Sequence, residues 1–130
     1  MNSPRKRIRS VGTRKGGAKS MTRGEIRWYT FSPPDKRRPV LLLTRDSVVD
    51  VLDSIIVVPA TRTVRGLPSE VLLSREDGLS VACALNFDHL GLAQRSRLGP
   101  ILAHLPPTRW LEIEHALLVA CGFRSPARDL

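Results

Sequence analysis

The sequence DKRRPVLLLTRD, residues 35–46, decides the fold class. Two adjacent arginines stand against Pro39, and an uninterrupted apolar run follows them. A run of this kind is typical of a strand that is buried on both faces or lies inside a tight barrel. Because a proline pushes the residue before it into an extended conformation, Arg38 is predicted to stand at the mouth of a stiff, apolar strand.

Further short strands are predicted on both sides of this run. The segment 24–31 alternates between two faces, as a half-buried strand does. The other predicted strands are SIIVVPAT (54–61), SEVLLS (69–74), SVACALNF (80–87) and GPILAHL (99–105), and residues 92–98 are predicted as a short helical turn. Strands at this spacing, joined by brief turns, favour a mainly antiparallel barrel or sandwich.

The last part of the chain changes to a helical period. Over residues 108–123, apolar side chains recur at three- and four-residue steps: Trp110, Ile113, Leu117, Leu118 and Cys121. We expect an amphipathic helix here, with either Thr108 as its N-cap or Pro107 in its first turn, and Gly122 just beyond its end. The predicted fold class is therefore mainly β with a C-terminal helix (α+β).

Basic charge is concentrated at the N-terminus. The chain has 130 residues and a net charge of +9, and residues 1–20 carry seven Lys or Arg and no acid. We predict a disordered basic tail over 1–20, one barrel domain over 21–124 and a short tail over 125–130. The N-terminal tail is either an electrostatic arm for nucleic acid or a solvated extension, and Met21 is a possible alternative start.

The composition argues against a membrane span and against a secreted protein. No run of 18 apolar residues exists, and no apolar segment of a secretory signal follows the basic N-terminus. Cys83 and Cys121 are interpreted as reduced core residues. These features predict a cytoplasmic protein.

No cofactor or metal signature is present in the sequence. The three histidines are scattered and lack the spacing of metal ligands, and no glycine-rich phosphate loop occurs. We therefore expect no metal and no cofactor, so that any catalysis comes from ordinary side chains.

Arg38 and Thr61 are the pair that suggests chemistry. If the strands around 39–44 and 54–61 pair antiparallel, the start of one lies near the end of the other, and Arg38 and Thr61 share one end of the barrel. A guanidinium beside a hydroxyl suits a phosphodiester, whose developing negative charge such donors stabilise. A purely structural or solvated role for both residues stays open at this point.

Three segments in this order resemble the MazF/PemK family of toxin endoribonucleases: RGEIRWYTFSPPDKRRPVLLLTRD (23–46), SIIVVPATRTVRGLPSEVLLSREDGL (54–79) and RLGPILAHLPPTRWLEIEHALLVACGF (97–123). The resemblance implies a small SH3-like antiparallel barrel of the MazF/PemK/CcdB type and a homodimer. It also implies metal-independent, sequence-specific cleavage of single-stranded RNA. The substrate 2′-OH attacks, which leaves 2′,3′-cyclic phosphate and 5′-OH ends, and an antitoxin with an acidic disordered tail neutralises the enzyme.

The same resemblance assigns roles to individual residues. Arg38 and Thr61 match the catalytic arginine and its partner threonine. Arg37, Arg62, Arg65, Glu25 and His89 are further candidates for RNA binding, and each of them also has a structural or solvated interpretation. Trp28 is either a core residue or a platform on which a base stacks.

The sequence departs from the usual family pattern in two places. The loop at residues 32–36 is shorter than in many relatives, and DHLG (88–91) has His89 and Gly91 where relatives often have glutamine and arginine. Two other functions stay open: a non-catalytic CcdB-like gyrase poison, and a nucleic-acid-binding module without catalysis.

Overall fold

The computed structural model describes residues 20–34 and 36–125. The predicted basic tail therefore lies outside the described residues except for Ser20, and the predicted C-terminal tail does so except for Ser125. In the described part of the chain, no helix is long and apolar enough to cross a membrane.

In the part of the chain that the structure describes, seven strands and two α-helices form the fold. The strands are β1 (Glu25–Thr30), β2 (Arg37–Leu42), β3 (Ser54–Thr61), β4 (Glu70–Leu73), β5 (Cys83–Asn86), β6 (Gly91–Gln94) and β7 (Ile101–His104), and the helices are α1 (Asp46–Val49) and α2 (Trp110–Ala120). The sheet order is β4-β5-β3-β2-β1-β7, β6 pairs with β3, and all pairings are antiparallel. The predicted fold class, mainly β and antiparallel with a C-terminal helix (α+β), is confirmed, and the sheet forms a half-barrel.

The strand β2 lies between two apolar clusters, as its continuous apolar run predicts. Leu41 belongs to the cluster that α2 covers, whereas Val40 and Leu42 belong to a second cluster on the other face, and all three are fully buried. Since burying a leucine or valine side chain contributes ~1.5–3 kcal/mol, this strand is a main source of stability and a rigid base for the residues at its start.

The helix α2 starts at Trp110, after a single 3₁₀ turn that has Pro107 at its first position, so Pro107 rather than Thr108 opens the helix. At its end, Gly122 has φ +81°, and the Phe123 N–H donates to the Leu118 carbonyl. These are the features of a Schellman C-cap. The prediction that Cys121 is a core residue is wrong, because it lies in this exposed cap.

Two further differences from the sequence prediction concern short elements. Of the helical turn predicted over 92–98, only Arg95–Arg97 are helical, as a 3₁₀ turn, because Gly91–Gln94 form strand β6. The helix α1 was not predicted from the sequence, because it is a single helical turn without a side-chain cap.

Arg109 ties α2 to the turn between β4 and β5. Its guanidinium donates to the carboxylates of Glu112 and Asp77 and to the Leu72 carbonyl. The hydrogen bond to Glu112, followed by that to Asp77, raises the pKa of Arg109 above its usual value. This network holds the start of the segment 78–81, which lines one side of a cavity.

Candidate active site

The antiparallel pairing of β2 and β3 brings Arg38 and Thr61 to the same end of the sheet. Val40 is opposite Pro59 in the last pair of this ladder. Arg38 and Thr61, each two residues further along, therefore lie just beyond the ladder at the same end, where Thr61 pairs with Ala84 of β5. On its other side, Arg38 is opposite Tyr29 of β1. Both side chains are half-buried, and they stand on two stiff central strands.

Arg38 and Thr61 border two cavities. The first cavity, of about 520 Å³, is lined by Phe31, Arg38, Pro59, Ala60, Thr61, Thr63, Arg65, Asn86 and His89. The second cavity, of about 610 Å³, shares Arg38, Ala60, Thr61 and Thr63 with the first, and its further lining includes Trp28, Lys36, Arg37, Arg62 and the segment 78–81. The guanidinium–hydroxyl pair therefore stands between two spaces that open to solvent.

Both cavities are basic. Arg38 and Arg65 line the first, Lys36, Arg37 and Arg62 add to the second, and no Asp or Glu is among the described residues of either lining. Since no carboxylate among the described lining residues offsets these cations, the surface attracts polyanions and other acidic ligands.

Thr61 is oriented by the loop that follows it. Its Oγ1 accepts a hydrogen bond of 3.1 Å from the Thr63 N–H. With that lone pair used, the hydroxyl hydrogen is left to donate to a group inside the cavities.

Trp28 is a wall of the second cavity and not a buried core residue. It is half-buried, and the exposed guanidinium of Arg37 lies over its ring, 4.1 Å from the centroid. A cation–π contact of this kind holds Arg37 beside Arg38. The structure thus groups Arg37 with the predicted catalytic pair.

Arg62 and Arg65 lie in the loop between β3 and β4, one at each cavity. The carboxylate of Glu70 shapes this loop, because its Oε1 accepts hydrogen bonds from the N–H groups of Arg65, Gly66 and Leu67 at 3.1, 2.9 and 3.2 Å. Sequence reasoning missed Glu70. From the sequence, a glutamate five residues after Arg65 suggests an ion pair with a basic side chain. The hydrogen bonds that Glu70 accepts from backbone N–H groups could not be predicted in this way.

His89 lies in the first cavity together with Arg38 and Thr61. Its Nδ1 is 3.3 Å from Nδ2 of Asn86, and the Oδ1 of Asn86 accepts from the Asp88 N–H at 2.9 Å. Asn86 is 4% exposed and was not predicted as a site residue. Its side chain caps the 3₁₀ turn that follows β5. Asparagine often caps a turn in this way, so an Asn near the end of a predicted strand is the sequence pattern that could have indicated it.

Glu25 is the predicted site residue that the structure does not bring to the cavities. It lies at the other end of β1 from Tyr29, roughly 13 Å along the strand from the residue opposite Arg38. Its buried carboxylate accepts from Arg27 Nε at 2.7 Å, and Arg27 also donates to the Gly99 carbonyl at 3.0 Å. This pair joins β1 to the segment before β7, so its position fits a structural role.

Metal ligands are not grouped in the described ranges. Residues 20–34 and 36–125 contain no cluster of three or more His, Cys, Asp or Glu side chains that could hold a metal ion. The donors that the site does offer are guanidinium, ammonium, hydroxyl, amide and imidazole groups.

Comparison with known proteins places the chain among toxins of one family. A family model described as "PemK-like, MazF-like toxin of type II toxin-antitoxin system" matches residues 22–120. The chain is 38% identical over 103 residues to "Probable endoribonuclease MazF2" of Mycobacterium tuberculosis, which covers 78% of this chain and 99% of that protein. It is 36% identical over 99 residues to "Probable endoribonuclease MazF5" of the same organism, covering 75% and 90%.

Solved structures agree with this result. "Mycobacterium tuberculosis toxin MazF-mt6" superimposes with a TM-score of 0.71 at 30% identity, over 77% of this chain and 98% of that one. MazE–MazF (Form-II) from Deinococcus radiodurans gives a TM-score of 0.68 at 26% identity, over 82% and 99%.

Proposed function

The chain belongs to the PemK-like, MazF-like toxin family of type II toxin–antitoxin systems. We propose that it is an endoribonuclease toxin that cuts single-stranded RNA, with Arg38 and Thr61 as its catalytic residues. The observation that carries this proposal is the position of the two side chains. They stand at the same end of β2 and β3, and both line the two basic cavities, whose described linings contain no carboxylate.

The proposed reaction uses the substrate's own 2′-hydroxyl as the nucleophile. The 2′-oxygen attacks the adjacent phosphorus and loses its proton, the bond to the 5′-oxygen breaks, and that oxygen gains a proton. The products are a 2′,3′-cyclic phosphate and a 5′-OH end. DNA lacks the 2′-hydroxyl, which accounts for the preference for RNA.

Arg38 stabilises the negative charge that builds up on the phosphoryl oxygens in the transition state. A guanidinium presents a planar fork of donors that matches these oxygens. A guanidinium keeps its proton near neutral pH and is a poor proton donor, so electrostatic stabilisation is its main role. Thr61 adds a hydroxyl donor to the same group, and neither role requires a metal ion.

The two cavities bind the nucleotides on either side of the scissile phosphate. Arg65 on one side and Lys36, Arg37 and Arg62 on the other neutralise the neighbouring phosphates. The exposed part of the Trp28 ring offers a stacking surface once Arg37 moves to a phosphate.

The same basic surface is the proposed contact for an antitoxin. A relative of known structure was solved as a MazE–MazF pair, and an acidic disordered segment would compete with RNA for the arginines around the cavities. Binding there would block the catalytic pair directly. The active form is proposed to be a homodimer.

The test is a cleavage assay on a long single-stranded RNA in the presence of EDTA. Wild type is expected to cut at a few defined sites, and Arg38→Ala is expected to cut at least 10²–10³-fold more slowly because a preorganised donor is lost. Arg45→Ala is the matched control, since Arg45 is an exposed arginine beyond the other end of β2. Retained cleavage by a folded Arg38→Ala would contradict the catalytic assignment. No cleavage by folded wild type would favour a gyrase poison or a binding module.

A further inference from the structure

Two hydrogen bonds of the Asn86 side chain fix the orientation of the His89 ring. The Asp88 N–H donates to Oδ1 of Asn86, so the amide nitrogen of Asn86 must point the other way, towards Nδ1 of His89. A flipped amide would set two N–H donors against each other. Asn86 is itself held in β5, where it is opposite Glu70 of β4, and its 4% exposure leaves it little freedom.

This contact decides which imidazole nitrogen carries the hydrogen. Nδ2 of an amide only donates, so Nδ1 of His89 accepts, and the hydrogen of the neutral ring resides on Nε2. The exposed ring therefore presents an N–H donor. Two successive hydrogen bonds hold the ring in place: the Asp88 N–H donates to Oδ1 of Asn86, and Nδ2 of Asn86 donates to Nδ1 of His89.

The rest of the first cavity suits a flat, partly apolar group next to a phosphate. Phe31 and Pro59 supply apolar surface, and the ring of Tyr29 packs edge-on against Phe31 with centroids 4.9 Å apart. The polar side chains free to bind there are all able to donate: Arg38, Thr61, Thr63, Arg65 and His89. A donor-rich wall of this kind complements the acceptor atoms on the edge of a base.

We propose that the first cavity binds one of the two bases that flank the scissile phosphate, and that the Nε2–H of His89 selects this base by donating to an acceptor on its edge. The assignment rests on the proposed RNA cleavage and deepens it. It makes His89 a specificity-determining residue and Asn86 its positioning residue. A glutamine side chain also presents an N–H, so His89→Gln is expected to keep the donor.

The test uses short RNAs that contain a mapped cleavage site and differ only in the two nucleotides flanking the cut. kcat/KM is measured in EDTA for wild type, His89→Gln and His89→Leu, each checked for folding by thermal denaturation. His89→Leu is expected to lower kcat/KM for the preferred base at one flanking position by about 10- to 100-fold, because one base contact is lost. The other three bases at that position are expected to change little, and His89→Gln is expected to keep the wild-type preference.

Three outcomes would overturn the proposal. An unchanged base preference in His89→Leu would show that His89 does not read a base. An equal loss for all bases would assign His89 to the reaction itself. Absence of cleavage by wild type on every RNA would refute the proposed function and this assignment with it, whereas in the first two cases wild type remains active.

Discussion

Thr61 acts through its hydroxyl hydrogen, because its oxygen already accepts from the Thr63 N–H. We predict that Thr61→Val lowers kcat for RNA cleavage by about 10²-fold, as the loss of one preorganised donor does. Thr61→Ser keeps the hydroxyl and is expected to stay within about tenfold of wild type. Equal activity of Thr61→Val and wild type in single-turnover cleavage would refute a donor role for this residue.

Cys83 gives the stability of the protein a defined pH dependence. Burial, and secondarily the nearby charge of Asp77, raise the pKa of the Cys83 thiol above its ordinary value of 9.0. The folded state therefore holds this proton to higher pH than the unfolded chain does. The contribution of the thiol to stability is complete below about pH 9 and is lost as the pH rises through the folded-state pKa.

Urea unfolding across this alkaline range tests the effect. The free-energy difference between wild type and Cys83→Ala is expected to shrink as the pH rises. Cys121→Ala is the matched control, because Cys121 is exposed, and it should keep the wild-type slope. A constant difference between wild type and Cys83→Ala would contradict the assignment.

At the scale of elements, the loop between β3 and β4 depends on one carboxylate. Glu70 accepts from three successive N–H groups and so holds the loop that carries Arg65. We predict that Glu70→Ala lowers the free energy of unfolding by about 1–2 kcal/mol and kcat/KM by about tenfold, because Arg65 loses its position.

Chemical denaturation and steady-state cleavage measure the two effects of Glu70→Ala separately. Glu114→Ala, an exposed glutamate on α2, serves as the control and is expected to change neither quantity. If Glu70→Ala matched this control in both measurements, the loop would owe its shape to other contacts.

The long elements of the fold could be predicted from the sequence, because their side-chain pattern is strong. The bounds of β3 agree with the prediction, and β2 and α2 were placed within a few residues. The short ones could not. β6 has only four residues, too few for a clear strand pattern. Its pairing with β3 is a contact between distant parts of the sequence, which local residue patterns do not predict. Likewise α1 is a single turn with no capping side chain.

The candidate site divides in the same way. Arg38 and Thr61 could be brought together from sequence, because antiparallel pairing of two predicted strands fixes where their ends meet. The hydrogen bonds of Asn86 and His89 depend on how one short turn closes, and the burial of Glu25 depends on Arg27 and on a carbonyl 74 residues away. Neither follows from local residue patterns.

For the whole molecule, exposed apolar side chains on β7 and α2 indicate where two copies pack. Ile101 is 44% exposed and Leu111 is 81% exposed. We predict that light scattering gives about twice the chain mass of 14.4 kDa, and that Leu111→Glu shifts the protein to the monomer. Leu92→Glu, on the exposed face of β6, is expected to leave the dimer intact. A dimer that survives Leu111→Glu and Ile101→Glu together would place the interface elsewhere.

The central claim is that this chain cuts RNA through the substrate's own 2′-hydroxyl beside Arg38. The most direct measurement compares two short RNAs in EDTA, which differ only by a 2′-deoxy nucleotide on the 5′ side of the mapped cut, with mass spectrometry of the product ends. We predict a 2′,3′-cyclic phosphate and a 5′-OH from the all-ribose RNA, and no cut at that bond in the deoxy RNA. Cleavage of the deoxy RNA at the same bond would contradict the account.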